Sequence, residues 1–123
     1  MKSLATLGVL VLLLPVWAFA LPIQCQCVMA LRSYAGVNIK GDAATLVPNL
    51  PFKNLEIKDV ILMRYGRVYH AAQIIGFSED LGIFDGAIAP RRLLIQEWNF
   101  EPCKYTQRSI PLDDEHIIGI LRP

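Results

Sequence analysis

The sequence predicts an α+β domain in which one short helix is followed by a mainly antiparallel sheet of about five strands. Three observations carry that prediction. A single window, Cys25 to Tyr34, has helical spacing, with Cys27, Val28, Leu31 and Arg32 placed along it and Gly36 as the stop. Beyond it, segments rich in Val, Ile, Leu and aromatic residues are separated by turn signals. A helix ahead of a run of strands is an α+β order rather than a βαβ alternation.

The elements follow in chain order. Residues 1–20 read as a secretory signal peptide: Met1-Lys2 supplies the positive start, Leu4 to Leu14 is apolar, Pro15 breaks the run, and Ala18-Phe19-Ala20 is a small-x-small cleavage pattern. The expected mature start is Leu21. The apolar run is short of the roughly 20 residues that a bilayer span needs, which sets cleavage ahead of the rival reading, an uncleaved anchor. Gln24 stands before Cys25, where a lipoprotein needs a small residue. Leu21 to Gln24 is a lead-in to the helix. Gly41 to Phe52, punctuated by Gly41, Pro48, Asn49 and Pro51, reads as a loop with one helical turn at Ala43-Ala44-Thr45. Asp59 to Tyr65 and Arg67 to Phe77 form a hairpin about Gly66. Ser78 to Pro90 is a long connection with room for a small hairpin of its own, and Arg91 to Phe100, Tyr105 to Ile110 and Ile117 to Leu121 complete the sheet. There are no repeats and no linker, so residues 21–123 form one domain.

Charge excludes some functions. Lys2 is the only charged residue of the leader, so the 12 basic side chains fall to 11 against 11 acidic ones. A neutral mature chain offers no electrostatic argument for nucleic acid or for an anionic membrane surface, and the membrane is met only during export. No phosphate-binding glycine loop and no paired-ligand spacing for a metal is present, so no cofactor and no metal are expected.

The three cysteines, Cys25, Cys27 and Cys103, leave at least one thiol without an intramolecular partner in an exported chain. A Cys25–Cys103 bond is one option and leaves Cys27 free. Cys27 falls at the start of the helix, where unpaired amides and the helix dipole favour thiolate over thiol; the competing reading is a buried structural cysteine. His70 lies within the apolar strand Val68-Tyr69-His70-Ala71-Ala72. Imidazole is the usual base for a cysteine, and the small neighbours allow another element to come close. The competing reading is a packing histidine. Glu97 and Asn99, two apart in a strand, share a face while Trp98 takes the other. Either is able to orient a histidine ring if that face is buried; otherwise it is the solvent side. His116, after Asp113-Asp114-Glu115, reads as a solvated turn residue.

Together these residues resemble the CHAP domains, the cysteine-, histidine-dependent amidohydrolase/peptidase group of the NlpC/P60-like, papain-like superfamily. Gln26-Cys27-Val28 with Arg32 is similar to the family's nucleophile helix. Gly41-Asp42-Ala43 and Pro48-Asn49 resemble the segment that follows. Asp59-Val60-Ile61-Leu62, Gly66 and His70 resemble the G-D-V strand and the histidine strand, and Glu97-Trp98-Asn99-Phe100 the E-x-N-aromatic strand. Ile110-Pro111-Leu112-Asp113-Asp114, Gly119 and Arg122-Pro123 resemble the closing strand of a bacterial subgroup. The resemblance implies a papain-like fold and a secreted, periplasmic or wall-associated enzyme that cleaves amide bonds in peptidoglycan peptides. In it Cys27 is the nucleophile, His70 the base and Glu97 or Asn99 the orienting group, with Gln26 or the Cys27 amide at the oxyanion hole. A non-catalytic wall-binding or structural domain on the same scaffold is the alternative. Two departures stand out. Lys58 occupies a position commonly Gly in the family, and Phe77 to Arg91 is longer than in compact members, a candidate for a longer loop at the cleft rim.

Overall fold

The structure, a computed structural model, describes residues 21–51 and 54–123. The expected leader and its cleavage at Leu21 lie outside the described residues. After a 3₁₀ turn at Ile23–Cys25, helix α1 spans Cys27–Ala35. Val28, Ala30 and Leu31 form its buried face. Gly36 ends it in the left-handed region at φ 68°, and the Val37 N–H donates back to the Leu31 carbonyl at 3.2 Å. This C-terminal closure suits glycine because no Cβ opposes a positive φ. A second 3₁₀ turn falls at Ala43–Thr45, within the segment expected to be a loop.

The strands are β1 (Val60–Tyr65), β2 (Val68–Phe77), β3 (Leu81–Phe84), β4 (Ala87–Pro90), β5 (Arg92–Trp98), β6 (Tyr105–Pro111) and β7 (Ile117–Leu121). Five of them make an antiparallel sheet in the order β6-β5-β2-β1-β7, and β3 and β4 pair as a separate hairpin. The hairpin turns through Asp85 and Gly86, both at positive φ, the conformation a tight two-residue loop requires. Position in the sheet accounts for the composition of each strand. Central β2 is buried from His70 through Ile74 and carries small and apolar residues on both faces, whereas edge strand β6 alternates exposed and half-buried positions along Tyr105 to Ser109.

The sheet divides the core in two. On the helix side Val28, Leu31, Val37, Ile39, Val60, Leu62, Ala71 and Trp98 pack together; on the other side lie Ile61, Met63, Ala72, Ile74, Leu93, Ile95, Ile110 and Ile120. Each of the fully buried aliphatic side chains contributes roughly 1.5–3 kcal/mol through removal of apolar surface from water. The fragments that motivated the family resemblance dock on one another. A Cβ at Gly119 would come 2.5 Å from the Pro48 ring. Asn49 binds the Arg122 backbone in both directions, accepting at 2.8 Å and donating at 2.9 Å. Lys58 stands at φ 82°, a left-handed backbone that explains why glycine suits that turn. The architecture is α+β with one short helix on a mostly antiparallel five-stranded sheet.

Candidate active site

Cys27 is the first residue of α1. Gln26 before it is extended and makes no side-chain cap, so the amides of the first helical turn are not satisfied by a cap. Cys27, Val28 and Met29 line a cleft of about 560 Å3 with Gly41, Asp42, Tyr69 and others.

His70 is buried in β2, opposite Met63 of β1, and so faces the layer away from the helix, while its neighbour Ala71 packs in the helix layer. Strand pairing explains how the helix reaches it. The β2–β5 register ends at Gln73↔Gln96, short of His70. There the His70 ring and the Ala71 amide act on the Cys27 sulfur, both favouring its thiolate. The small side chains at Ala71 and Ala72 permit this approach.

The His70 Nε2 lies 2.7 Å from Glu97 Oε1, which leaves the Nδ1 side of the ring to meet Cys27. Glu97 is fully buried. Burial alone would raise the Cys27 thiol, but the His70 ring and the Ala71 and Val28 amides outweigh it and hold the thiol below its ordinary value. Burial opposes charge on His70 as well, yet Cys27 and Glu97 raise its proton affinity above the ordinary imidazole value. Glu97 is held below the ordinary carboxylate range by His70 and Arg108 against its own burial. All three directions favour a thiolate–imidazolium pair backed by an ionised carboxylate.

The other sequence candidates, Asn99 and Gln26, line the same cleft as Cys27, and their side chains make other bonds. Asn99 falls beyond the end of β5 with φ 66°, so strand alternation no longer applies to it. Its Oδ1 accepts the Cys103 N–H at 2.8 Å and shapes the loop after the strand. Asparagine tolerates this backbone better than most residues, and that local preference overrides the alternation expected from sequence. The Gln26 side chain donates to the Leu21 carbonyl at 3.2 Å, so its amide is engaged with the lead-in segment. Cys25 and Cys103 are joined by a disulfide, and Cys27 is the free cysteine. The long Phe77–Arg91 segment contributes no residue to the lining of the Cys27 cleft, which corrects the expectation of a longer loop at its rim. It folds instead as the β3–β4 hairpin over a separate apolar groove with Leu55 and Leu112.

Sequence reasoning missed Arg108. Its Nε donates to Glu97 Oε2 at 2.6 Å and its Nη2 to the Tyr65 hydroxyl at 2.8 Å. The guanidinium lies 3.7 Å from the centroid of the Phe100 ring. The signal was present: Thr106, Arg108 and Ile110 share a strand face, so an arginine on the face of a core isoleucine requires a buried partner. Among the described residues no group of three or more His, Cys, Asp or Glu side chains is placed to hold a metal ion. No protein-family model, curated protein or solved structure matches the chain.

Proposed function

We propose that the chain is a secreted cysteine hydrolase that cleaves amide bonds in bacterial peptidoglycan, on a papain-like, CHAP-related scaffold. The observation that carries this reading is the buried His70–Glu97 pair, 2.7 Å apart, together with a Cys27 thiol that the same histidine holds low, at the N-terminus of a helix and at the wall of a cleft. A structural cysteine needs neither a histidine on its sulfur nor a buried carboxylate behind that histidine. The peptidoglycan substrate rests on the family resemblance. Work outside the cytoplasm is supported by the Cys25–Cys103 disulfide.

In the proposed reaction the Cys27 thiolate attacks the amide carbonyl carbon, forming a C–S bond as the carbonyl π pair moves onto oxygen. The N-terminal amides of α1 supply donors for that oxyanion. As the oxyanion collapses, the C–N bond breaks and His70 gives its proton to the departing amine. His70 then takes a proton from water, whose oxygen attacks the thioester and releases the acid and the Cys27 thiolate. Glu97 keeps the ring oriented throughout.

The test is digestion of purified peptidoglycan followed by mass spectrometry of the released fragments. Wild type is expected to release new amine- and carboxyl-ended products, and Cys27→Ala to fall by about 10⁴-fold or more. Cleavage at the wild-type rate by Cys27→Ala would sink the cysteine mechanism. Wild-type protein that binds wall fragments without cutting them would favour a wall-binding domain instead.

A further inference from the structure

We propose that Arg108 is a positioning residue of this site, whose guanidinium fork holds the Glu97 carboxylate aimed at His70 and keeps it ionised, so that the working unit is Cys27–His70–Glu97–Arg108. The inference rests on the cysteine-hydrolase reading above. Its basis is geometric. Arg108 Nε binds Glu97 Oε2 at 2.6 Å and Nη2 reaches Oε1 at 3.3 Å. With Oε2 pinned from behind, Oε1 is the oxygen presented to His70 Nε2 at 2.7 Å. Arg108 is fixed in turn by the Tyr65 hydroxyl at 2.8 Å and by the Phe100 ring beneath its guanidinium. A two-point fork fixes rotation of a carboxylate as well as its distance.

Charge leads the same way. Glu97 is fully buried, and a buried carboxylate without a permanent counter-charge takes up a proton. The groups that face this cluster are His70 from β2, Tyr65 from β1, Arg108 from β6, Cys27 from α1, and Asp114 with His116 from the turn before β7. His116 stacks on Tyr65 at 4.3 Å between ring centroids and bonds to Asp114 at 2.8 Å. His70 is the direct cationic partner of Glu97 apart from Arg108, and its charge disappears when it hands its proton to the leaving amine. At that moment Arg108 alone keeps Glu97 an anion, so the carboxylate stays an acceptor that orients the ring rather than a base that competes for its proton.

The test reads the thiolate directly, through the pH dependence of Cys27 alkylation by iodoacetamide, with amide turnover measured in parallel. Arg108→Met is expected to move the alkylation midpoint up by about one pH unit and to slow alkylation near pH 6 by roughly tenfold. Arg108→Lys recovers part of this, because it restores the charge without the fork. In a Glu97→Gln background Arg108→Met moves the midpoint no further, since the effect passes through Glu97. The Glu97→Gln and Glu97→Gln/Arg108→Met pair also serves if the single Arg108 variant fails to fold, because it leaves no unpaired buried carboxylate. A midpoint unmoved by Arg108→Met, or a further shift between the two Glu97→Gln proteins, would overturn the proposal while leaving the hydrolase reading intact. A wild-type midpoint at the ordinary thiol value of about 8.5, together with no amide turnover, would sink both.

Discussion

Two buried carboxylates among the described residues sit against an arginine, and only one of them also meets a histidine. At the start of β1, Asp59 takes Arg122 through both oxygens, at 2.7 and 2.8 Å, and its Oδ2 also accepts the Glu56 N–H at 2.8 Å. Its Arg122 and backbone partners carry no transferable proton near neutral pH, and the cluster fastens the chain end beyond β7 to the sheet. Glu97 gives one oxygen to the Arg108 Nε and shares the other between Arg108 Nη2 and His70, whose proton affinity Cys27 also raises. The difference is one acceptor position. A carboxylate saturated by arginine and backbone is a clamp, whereas a carboxylate that also meets an imidazole raises the proton affinity of that ring. An arginine–carboxylate pair is therefore uninformative about function until the remaining acceptor has been traced.

Turnover is where the two clusters should part most widely. His70→Ala is expected to lose about 10⁴-fold in amide cleavage, nearly as much as removal of both His70 and Cys27, because residues acting as one unit are strongly non-additive. Glu97→Gln should lose less, about 10²-fold, because the amide can still accept one bond from the ring but contributes no charge. Asp59→Asn should leave turnover of the folded protein within about twofold. A comparable activity loss in both carboxylate variants, measured on purified peptidoglycan, would erase the distinction.

Stability inverts the order. The Cys25–Cys103 bond closes a sequence separation of 78 residues at the Glu97 end of the molecule. Cys103→Ser is expected to cost about 4 kcal/mol by loop-closure entropy, read as a lower urea midpoint, while appreciable turnover survives in the folded fraction. Asp59→Asn should lower the thermal midpoint by about 5–10 °C, since it weakens a buried ion pair that joins distant segments. Full loss of activity in well-folded Cys103→Ser protein would mean that the disulfide belongs to the chemistry.

The pH dependence of stability sharpens the comparison further. Asp59 is held below its ordinary value by Arg122 and the Glu56 amide, which outweigh its burial, and Glu97 is likewise depressed. A depressed carboxylate contributes stability that is present above its ordinary value of about 4 and is lost as the pH falls through its folded value. Both clusters thus weaken in acid. Only the Glu97 cluster contains a histidine shifted the other way. The raised His70 contributes below its ordinary value of about 6.5, and that contribution is lost as the pH rises through the folded value. Urea midpoints from about pH 3 to pH 8 should show a shallower acid limb in Asp59→Asn and a shallower neutral-to-alkaline slope in His70→Ala. The reverse pattern would mean that the clusters have been assigned the wrong roles.

The smallest expected effect lies beside Asp59. Lys58 holds φ 82° and donates its N–H to the Ile74 carbonyl at 2.8 Å. Lys58→Gly should raise stability by about 1 kcal/mol through relief of the left-handed backbone, less the entropy that glycine adds to the unfolded chain. Thermal melts that show a loss instead would place the stabilising contacts of that turn in the lysine side chain.

Local signals were legible in the sequence wherever one residue or one period decided the matter. Gly36 ends the helix, and the turn about Gly66 makes the hairpin. The strand ends departed by a residue or two, as at Phe100, where β5 had already stopped at Trp98. His70 and Glu97 were visible as polar groups within apolar strands. Which of Glu97 and Asn99 meets the histidine was not visible, because the answer is the backbone torsion at Asn99, set by the loop that leads to Cys103.

By itself the sequence determined the order and kind of the elements and the residues able to carry charge or act as nucleophiles, because capping, periodicity and side-chain chemistry are local properties. Only the tertiary structure decided the partners. Cys25 met Cys103 rather than Cys27, Arg108 came to Glu97, and the Phe77–Arg91 hairpin lay away from the cleft. Those outcomes depend on strand order and register across tens of residues. The end of the β2–β5 pairing at Gln73 is the plainest case: it releases the Ala71 amide and lets the helix reach His70, and nothing within β2 alone specifies where its neighbour lets go.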